Sequence, residues 1–262
     1  MTENHPVIFV GAGPGDPELI TVKGQKALAR ADLVLYAGSL VSPAVLEWAK
    51  PATELVDTAK LNLAEICARL LAGHRAGRRV VRVHSGDPAL YGAIQEQLEV
   101  LERENIPCLV IPGVSAAFAA AAALAQELTL PEVTQTVILT RAAGRTPVPD
   151  KEALHDLARH GATLVIYLSI KLIDAVVAEL TPAYGPNTPV VVAYRVSWPD
   201  QRLIRGTLST IAGLVQASGI ERQALIMVGP VLSARDGDLQ ARSKLYDQSF
   251  THGFRAGGEN EL

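Results

Sequence analysis

The sequence predicts an α/β protein of two domains, with a mostly parallel sheet in the N-terminal domain and a mixed sheet in the C-terminal one. Three observations predict it. Short runs rich in β-branched residues alternate with helix-length patterns along the chain. Glycine-bearing loops directly follow three of those runs, and in the second half two runs are separated by little more than a tight turn.

In the first half the runs fall at residues 7–10, 33–36, 80–83 and 109–111. They are continuously apolar rather than alternating, as strands covered on both faces by helices must be. The second half offers runs at 136–139, 163–167, 190–194, 202–205 and 224–228. Asp150 is placed to cap a helix running to Arg159 and closed by Gly161, and Ser169 to cap one from Ile170 to Leu180, with Pro182 just beyond its end. The turn SWPD between the runs at 190–194 and 202–205 predicts a hairpin, hence an antiparallel component.

The expected division is 1–112 for the first domain, 113–235 for the second and 236–262 for a polar tail. Leu245, Tyr246, Phe250 and Phe254 of that tail are spaced to dock on a surface, with a frayed end after Ala256. The 262 residues, 48% hydrophobic and 19% charged, suit an ordinary globular enzyme. A net charge of −3 and a pI near 6.1 argue against a nucleic-acid binder. The start MTENHPVIFV lacks a basic region followed by a long apolar one, and no stretch is long enough to span a bilayer, so a cytoplasmic protein with no membrane partner is expected. The two cysteines, Cys67 and Cys108, have no metal-ligand or disulfide-framework spacing and read as buried, reduced thiols.

Three motifs can carry chemistry. GAGPGDPELITVKG, at 11–24, follows the first run. Its glycines would let the backbone approach a ligand, but Asp16 stands where a dinucleotide fingerprint needs its third glycine, and no phosphate-cradling lysine follows. HSGDPALYG, at 84–92, follows the third run. There Asp87, the one candidate for a catalytic role, would hold the loop or a ligand, or merely cap a helix whose first turn contains Pro88, and His84 is either a base or a hydrogen-bonded structural histidine. PGVSAAF, at 112–118, supplies small residues for close packing. Ligands of open α/β sheets bind outside the carboxyl ends of strands, so loops in these positions would face one crevice. No Ser-His-Asp order, metal-ligand spacing or carboxylate pair is visible, and no metal is expected.

Together these motifs, in this order, resemble the tetrapyrrole methylase family, whose members use S-adenosylmethionine to methylate porphyrinoid and corrinoid carbons. The likeness covers nearly the whole chain. DLVLYAGSLV at 32–41, HSGDPALYGAIQEQ at 84–97, LTRAAGRTPVP at 139–149, YRVSWPDQ at 194–201 and SKLYDQSF at 243–250 resemble the branch that methylates a precorrin-4-type ring, with or without cobalt, at carbon 11 during cobalamin biosynthesis.

The resemblance implies the two-domain fold with its intervening cleft, a homodimer, a tetrapyrrole substrate and S-adenosylhomocysteine as product. It implies cofactor contacts at Pro14, at Ser85, Gly86, Asp87 and Leu90, at Ser115 and Ala116, and at Leu168 and Val196. The family's sirohaem branch usually carries GGDP and a small glycine-threonine pair where this chain has SGDP and Val196 followed by Ser197.

The sulfonium methyl of such a cofactor is already electrophilic, so holding it in line with a ring carbon, worth on the order of 7–11 kcal/mol, needs no side-chain nucleophile. The acetate and propionate groups of the ring would need cations. Arg141 and Arg145 lead, with Lys23 and Arg195 behind them, and Arg141→Ala is expected to raise the substrate KM. Rival readings are uroporphyrinogen III or another ring or RNA-directed substrate within the family, an NAD-binding oxidoreductase, and a non-catalytic tetrapyrrole carrier.

Overall fold

The computed structural model describes residues 5–234 and 243–256. Within them the chain forms two compact units, one from the residues up to Ala123 together with Arg195–Gln201, the other from Leu124–Tyr194 and the residues from Arg202 on. The division falls after Ala123 rather than at 112/113. A helix that follows a parallel strand packs back onto the sheet it came from, which keeps the alanine-rich helix with the first unit.

The first unit is a five-stranded sheet, β1 (Val7–Gly11), β2 (Leu33–Tyr36), β3 (Glu54–Asp57), β4 (Val80–His84) and β5 (Cys108–Ile111), in the order β3-β2-β4-β1-β5 and parallel throughout. Helices α1 (Val22–Arg30), α2 (Pro43–Leu46), α3 (Leu63–Arg75), α4 (Gln95–Arg103) and α5 (Ala116–Ala123) connect and cover it. Local signals set their ends. Thr21 caps α1 through the Gly24 amide, and Asn62 and Glu65 form a reciprocal capping box on α3.

Side chains of alternating direction build two cores. Val10, Val34, Val81, Val83 and Ile111 pack in one, and Val7, Phe9, Leu33, Leu35 and Val80 in the other. Burying each such side chain is worth roughly 1.5–3 kcal/mol, which is why these runs read as strands in the sequence.

The second unit is a mixed sheet of β6 (Val137–Arg141), β7 (Thr163–Tyr167), β8 (Pro189–Tyr194), β9 (Arg202–Thr207) and β10 (Ala224–Val228), in the order β6-β7-β10-β8-β9. Only β6 and β7 are parallel; β8 and β9 form the predicted hairpin. Helices α6 (Leu154–Ala158), α7 (Ile173–Tyr184) and α8 (Ile211–Ser218) contribute Leu154, Ile173, Val176, Leu180, Ile211 and Val215 to its core. No helix among the described residues is long and apolar enough to cross a membrane.

Several local expectations are corrected. Strand β3 carries no apolar run because it is a sheet edge with Glu54, Leu55 and Asp57 exposed. Cys108 lies on the opposite edge and is exposed, whereas Cys67 is buried in α3. Asp150 caps nothing: it begins a short 3-10 turn, and α6 starts only at Leu154. Ser169 makes no cap bond either, since its hydroxyl donates to the Tyr167 carbonyl and accepts from the Ala142 amide, tying β6 to β7.

Pro182 sits inside α7, not after it, because proline keeps a helical φ, and the helix ends at Gly185 with φ +85°. Pro88 lies in a turn, and α4 begins only at Gln95. In the tail, Leu245, Phe250 and Phe254 are exposed rather than docked. Arg255 is among the residues that hold it together, its Nη2 donating to the Leu245 and Asp247 carbonyls. The Tyr246 side chain and the end after Ala256 lie outside the described residues.

Candidate active site

The three glycine-bearing loops leave the carboxyl ends of adjacent strands β4, β1 and β5, with Gly11 opposite His84 and Val10 opposite Ile111. Beyond the sheet they stay joined. Gly13 and Gly86 form a bridge in which the Gly86 amide donates to the Gly13 carbonyl at 2.8 Å and the Gly13 amide donates to the Gly86 carbonyl at 3.2 Å. Gly13 adopts φ +80° and Gly86 φ +62°, left-handed values that glycine accepts without strain.

Gly11 and Gly113 face each other so closely that a Cβ on Gly113 would stand 2.1 Å from the Gly86 carbonyl oxygen and 2.8 Å from the Gly11 Cα. These two glycines therefore let three strands of backbone meet. Gly15 serves a different neighbour, since a Cβ there would fall 2.2 Å from Cδ1 of Trp198. The close approach expected of a ligand at Gly11 and Gly15 is made by the protein itself.

Asp87 stitches the second loop to the third. One carboxylate oxygen accepts from the Ala89 amide at 2.8 Å and the other from the Gly113 amide at 2.9 Å. It caps no helix, since α4 begins only at Gln95. Its loop is strained further on, with Tyr91 at φ +56° and Ala93 at φ +48°; such backbone concentrates at binding sites, where the surroundings over-determine it.

Ser85, Gly86, Asp87 and Leu90 lie on this loop, and Pro14 and Ser115 are buried on the loops either side. The Arg195–Gln201 turn, including buried Val196, belongs to the same unit. Leu168 lies in the second unit at the end of β7; it is 71% exposed and held at φ +55°, an uncommon combination for leucine.

The residues present suit a small neutral-walled ligand. A Cβ at Gly86 would meet the Ser115 Cα and Val114 carbonyl oxygen at 3.9 Å and the Ala116 amide at 4.0 Å, ordinary contact distances, so a small cradle that one methyl-sized group would fill lies between the second and third loops. Of the titratable side chains at the strand ends, Asp87 holds two backbone amides and His84 is buried. His84 is buried behind the loop, stacked on Phe9, and its Nε2 has no partner. Burial, reinforced by the nearby Arg82 cation, pushes its pKa down to about 3. It is neutral at physiological pH and serves as packing rather than as the hydrogen-bonded structural histidine or the base the sequence offered.

A buried histidine with a lowered pKa has a definite pH signature. The unfolded chain takes up its proton near pH 6.5 and the folded chain only near 3, so this group's stabilisation is complete above pH 6.5 and is lost as pH falls towards 3. Chemical denaturation of His84→Phe beside the native chain should show the native protein losing about 2 kcal/mol more between pH 7 and pH 5. Equal losses would mean that His84 protonates in the folded state.

Arg82 is a residue that reading the sequence missed. It is buried on β4, its Nε donating to Gln97 Oε1 and its Nη1 to Thr58 Oγ1, both at 3.2 Å. No carboxylate among the described residues pairs with it, and burial draws its pKa down to about 10. It ties β4 to α4 and to the loop after β3, beneath the Ser85 turn. An arginine inside an apolar strand, VVRVH, was the available signal.

The four candidate cations separate. Arg141 turns its guanidinium on its own loop, donating to the carbonyls of Thr146 at 3.1 Å and Pro147 at 2.5 Å. Arg195 pairs with Asp200 at 2.7 Å and lies over the Trp198 ring, 4.1 Å from its centroid. Arg145 and Lys23 are exposed.

A family model for tetrapyrrole (corrin/porphyrin) methylases matches residues 6–212. The chain belongs to the tetrapyrrole methylase family. Among its relatives, the cobalt-precorrin-4 C(11)-methyltransferase of Methanocaldococcus jannaschii is 51% identical, covering 97% of this chain and 98% of that protein. The precorrin-4 C(11)-methyltransferase of Pseudomonas aeruginosa is 52% identical, covering 96% and 99%.

Of solved methylase structures, one of a cobalt precorrin-4 methyltransferase of cobalamin biosynthesis superposes with a TM-score of 0.85 at 49% identity, covering 86% of this chain and 95% of that one. A uroporphyrin-III C-methyl transferase from Thermus thermophilus, complexed with S-adenosylhomocysteine, gives 0.74 at 30% identity, covering 87% and 99%. Within this methylase fold the glycine-rich first loop is not a dinucleotide fingerprint. Asp16, in the place of the third glycine, caps the short turn Pro17–Leu19 by accepting from the Glu18 amide.

Proposed function

We propose that this methylase transfers a methyl group from S-adenosylmethionine to ring carbon 11 of precorrin-4 or its cobalt complex in cobalamin biosynthesis. The observation that carries this reading is the near full-length likeness, at 51% and 52% identity, to C(11)-methyltransferases of both the cobalt and the metal-free kind. The cradle at Gly86, Ser115 and Ala116 supports it.

S-adenosylmethionine, when bound, supplies the methyl as an electrophile on a sulfonium. The chain supplies position. Pro14, Ser85, Gly86, Asp87, Leu90, Ser115, Ala116 and Val196, with Leu168 from the second unit, are the proposed holders. Backbone carbonyls of the loops favour a nearby positive centre, and fixed dipoles of this kind need no reorganisation when charge shifts. The work left to the protein is orientation, worth on the order of 7–11 kcal/mol in favourable cases.

Arg145 and Lys23 are proposed for the substrate carboxylates, with Arg141 shaping the loop that carries Arg145 and Arg195 supporting Trp198. Arg145→Ala is expected to raise the tetrapyrrole KM roughly tenfold, the worth of one charge-assisted hydrogen bond, and to leave the donor KM alone. Steady-state kinetics with each substrate varied in turn checks this, and an unchanged tetrapyrrole KM removes Arg145 from the site. We also propose a cytoplasmic homodimer. Two free thiols fit a reducing compartment, and sedimentation reads the assembly.

The deciding experiment incubates the protein with labelled donor and, separately, precorrin-4, cobalt-precorrin-4 and uroporphyrinogen III, with products read by mass spectrometry. One added methyl on a precorrin-4 substrate, placed at carbon 11 by NMR, is the expected result. Methylation of uroporphyrinogen III alone would overturn the proposal, and no turnover on any ring would leave a carrier.

A further inference from the structure

The chain has two tryptophans, and both indoles are spent on the first glycine-rich loop. Trp198 Nε1 donates to the Pro14 carbonyl at 2.9 Å, and Trp48 Nε1 donates to the Pro17 carbonyl at 3.2 Å. The Trp198 ring lies on Gly15, where it leaves no room for a side chain. The turn that carries it grips the same segment again, since Ser197 Oγ accepts from the Asp16 amide at 3.0 Å.

This turn is itself braced. Ser197 donates its amide to Gln201 Oε1 at 2.7 Å, and Arg195, paired with Asp200, lies over the indole. Arg195 and Ser197 hold φ of +41° and +66°, a backbone strain that persists only where surrounding contacts enforce it.

A segment such as GPGDP has much to lose by being ordered. Glycine gives up more backbone freedom than any other residue, and prolines 14 and 17 have no amide with which to anchor themselves. Left alone, the loop would spend part of its time in forms that cannot bind, and apparent affinity falls by that fraction.

We propose that the Arg195–Gln201 turn, with Trp198 as its main contact and Trp48 on the other side, is a clamp that sets the 13–17 loop in its donor-binding form before the donor arrives. Trp198 is a positioning residue: it acts on the donor through Pro14 and Gly15. The consequence for the reaction rests on the reading of that loop as the S-adenosylmethionine site. The clamp itself does not.

Trp198→Phe keeps a ring over Gly15 and removes only the N–H donor. Hydrogen exchange of the ligand-free protein is expected to show the Asp16 and Glu18 amides exchanging roughly tenfold faster in this variant, with the amides of β10 unchanged. S-adenosylhomocysteine titrated by calorimetry should bind it roughly tenfold more weakly, and the kinetic loss should fall on the donor KM more than on kcat. Trp48→Phe should show the smaller effect, its bond being longer and at the surface. It also leaves Trp198 as the sole indole, whose emission should shift on adding S-adenosylhomocysteine.

Unchanged exchange at Asp16 and Glu18 in Trp198→Phe overturns the clamp, and so does unchanged affinity in a variant whose native parent binds. If the native protein itself binds no S-adenosylhomocysteine, the cofactor reading fails instead, and the exchange rates still decide the clamp.

Discussion

Gly113→Ala is expected to cost about 3 kcal/mol of stability, as severe overpacking does, and to abolish tight donor binding. A Cβ at this position falls 2.1 Å from the Gly86 carbonyl oxygen and 2.8–2.9 Å from the Gly11 Cα and carbonyl carbon. All three neighbours are backbone, so no side chain can swing aside. Relief requires the ends of β1, β4 and β5 to separate, which opens the Gly13–Gly86 bridge and spreads the cradle.

The melting temperature should fall by roughly 10 °C, and S-adenosylhomocysteine should no longer bind detectably by calorimetry. Gly213→Ala is the control. Gly213 lies in α8 with nothing within 4 Å of its would-be Cβ, so this change should stabilise by about 0.5–1 kcal/mol through helix propensity. A Gly113→Ala protein with native melting and native affinity would show that the three loops do not depend on their close approach.

Asp87→Ala is the second large effect. It strands the Gly113 amide and releases the Ala89 amide together, two bonds to a carboxylate that are worth about 1.5–3 kcal/mol each before compensation by water. A net loss of about 2–3 kcal/mol is expected, with donor affinity down by well over tenfold, because the second and third loops then move independently. Asp87→Asn should fall between the two, since its single carbonyl oxygen can keep one of the bonds. Thermal melts and S-adenosylhomocysteine titrations of the three proteins check the order. Equal affinity in Asp87→Ala and the native chain would reduce Asp87 to a bystander.

Local chemistry explains what could be read early. The apolar runs at β1, β2, β4 and β10 mark strands buried on both faces, and the SWPD turn marks the β8–β9 hairpin. The three small-residue loops mark the ends of β1, β4 and β5 as the site. The misreadings share a cause as well. Strand β3 needs only a neighbour to pair with, not an apolar run of its own. Asp150 and Ser169 have the right side chains for caps, but where such a residue spends its hydrogen bonds depends on what else comes within reach.

By itself, then, the sequence determined the α/β class, the parallel and mixed sheets, the order of the three loops and the family, because each of these is written in residues close together in the chain. The tertiary structure alone decided what the loops do. Gly15 makes room for an indole, Asp16 meets Ser197 across 181 residues and Pro14 meets Trp198 across 184. Arg141 closes its own loop, and Asp87 belongs as much to Gly113 as to its own turn. Such pairings depend on which chain segments the packed sheet brings within 3 Å of each other, and residue type limits them without choosing among them.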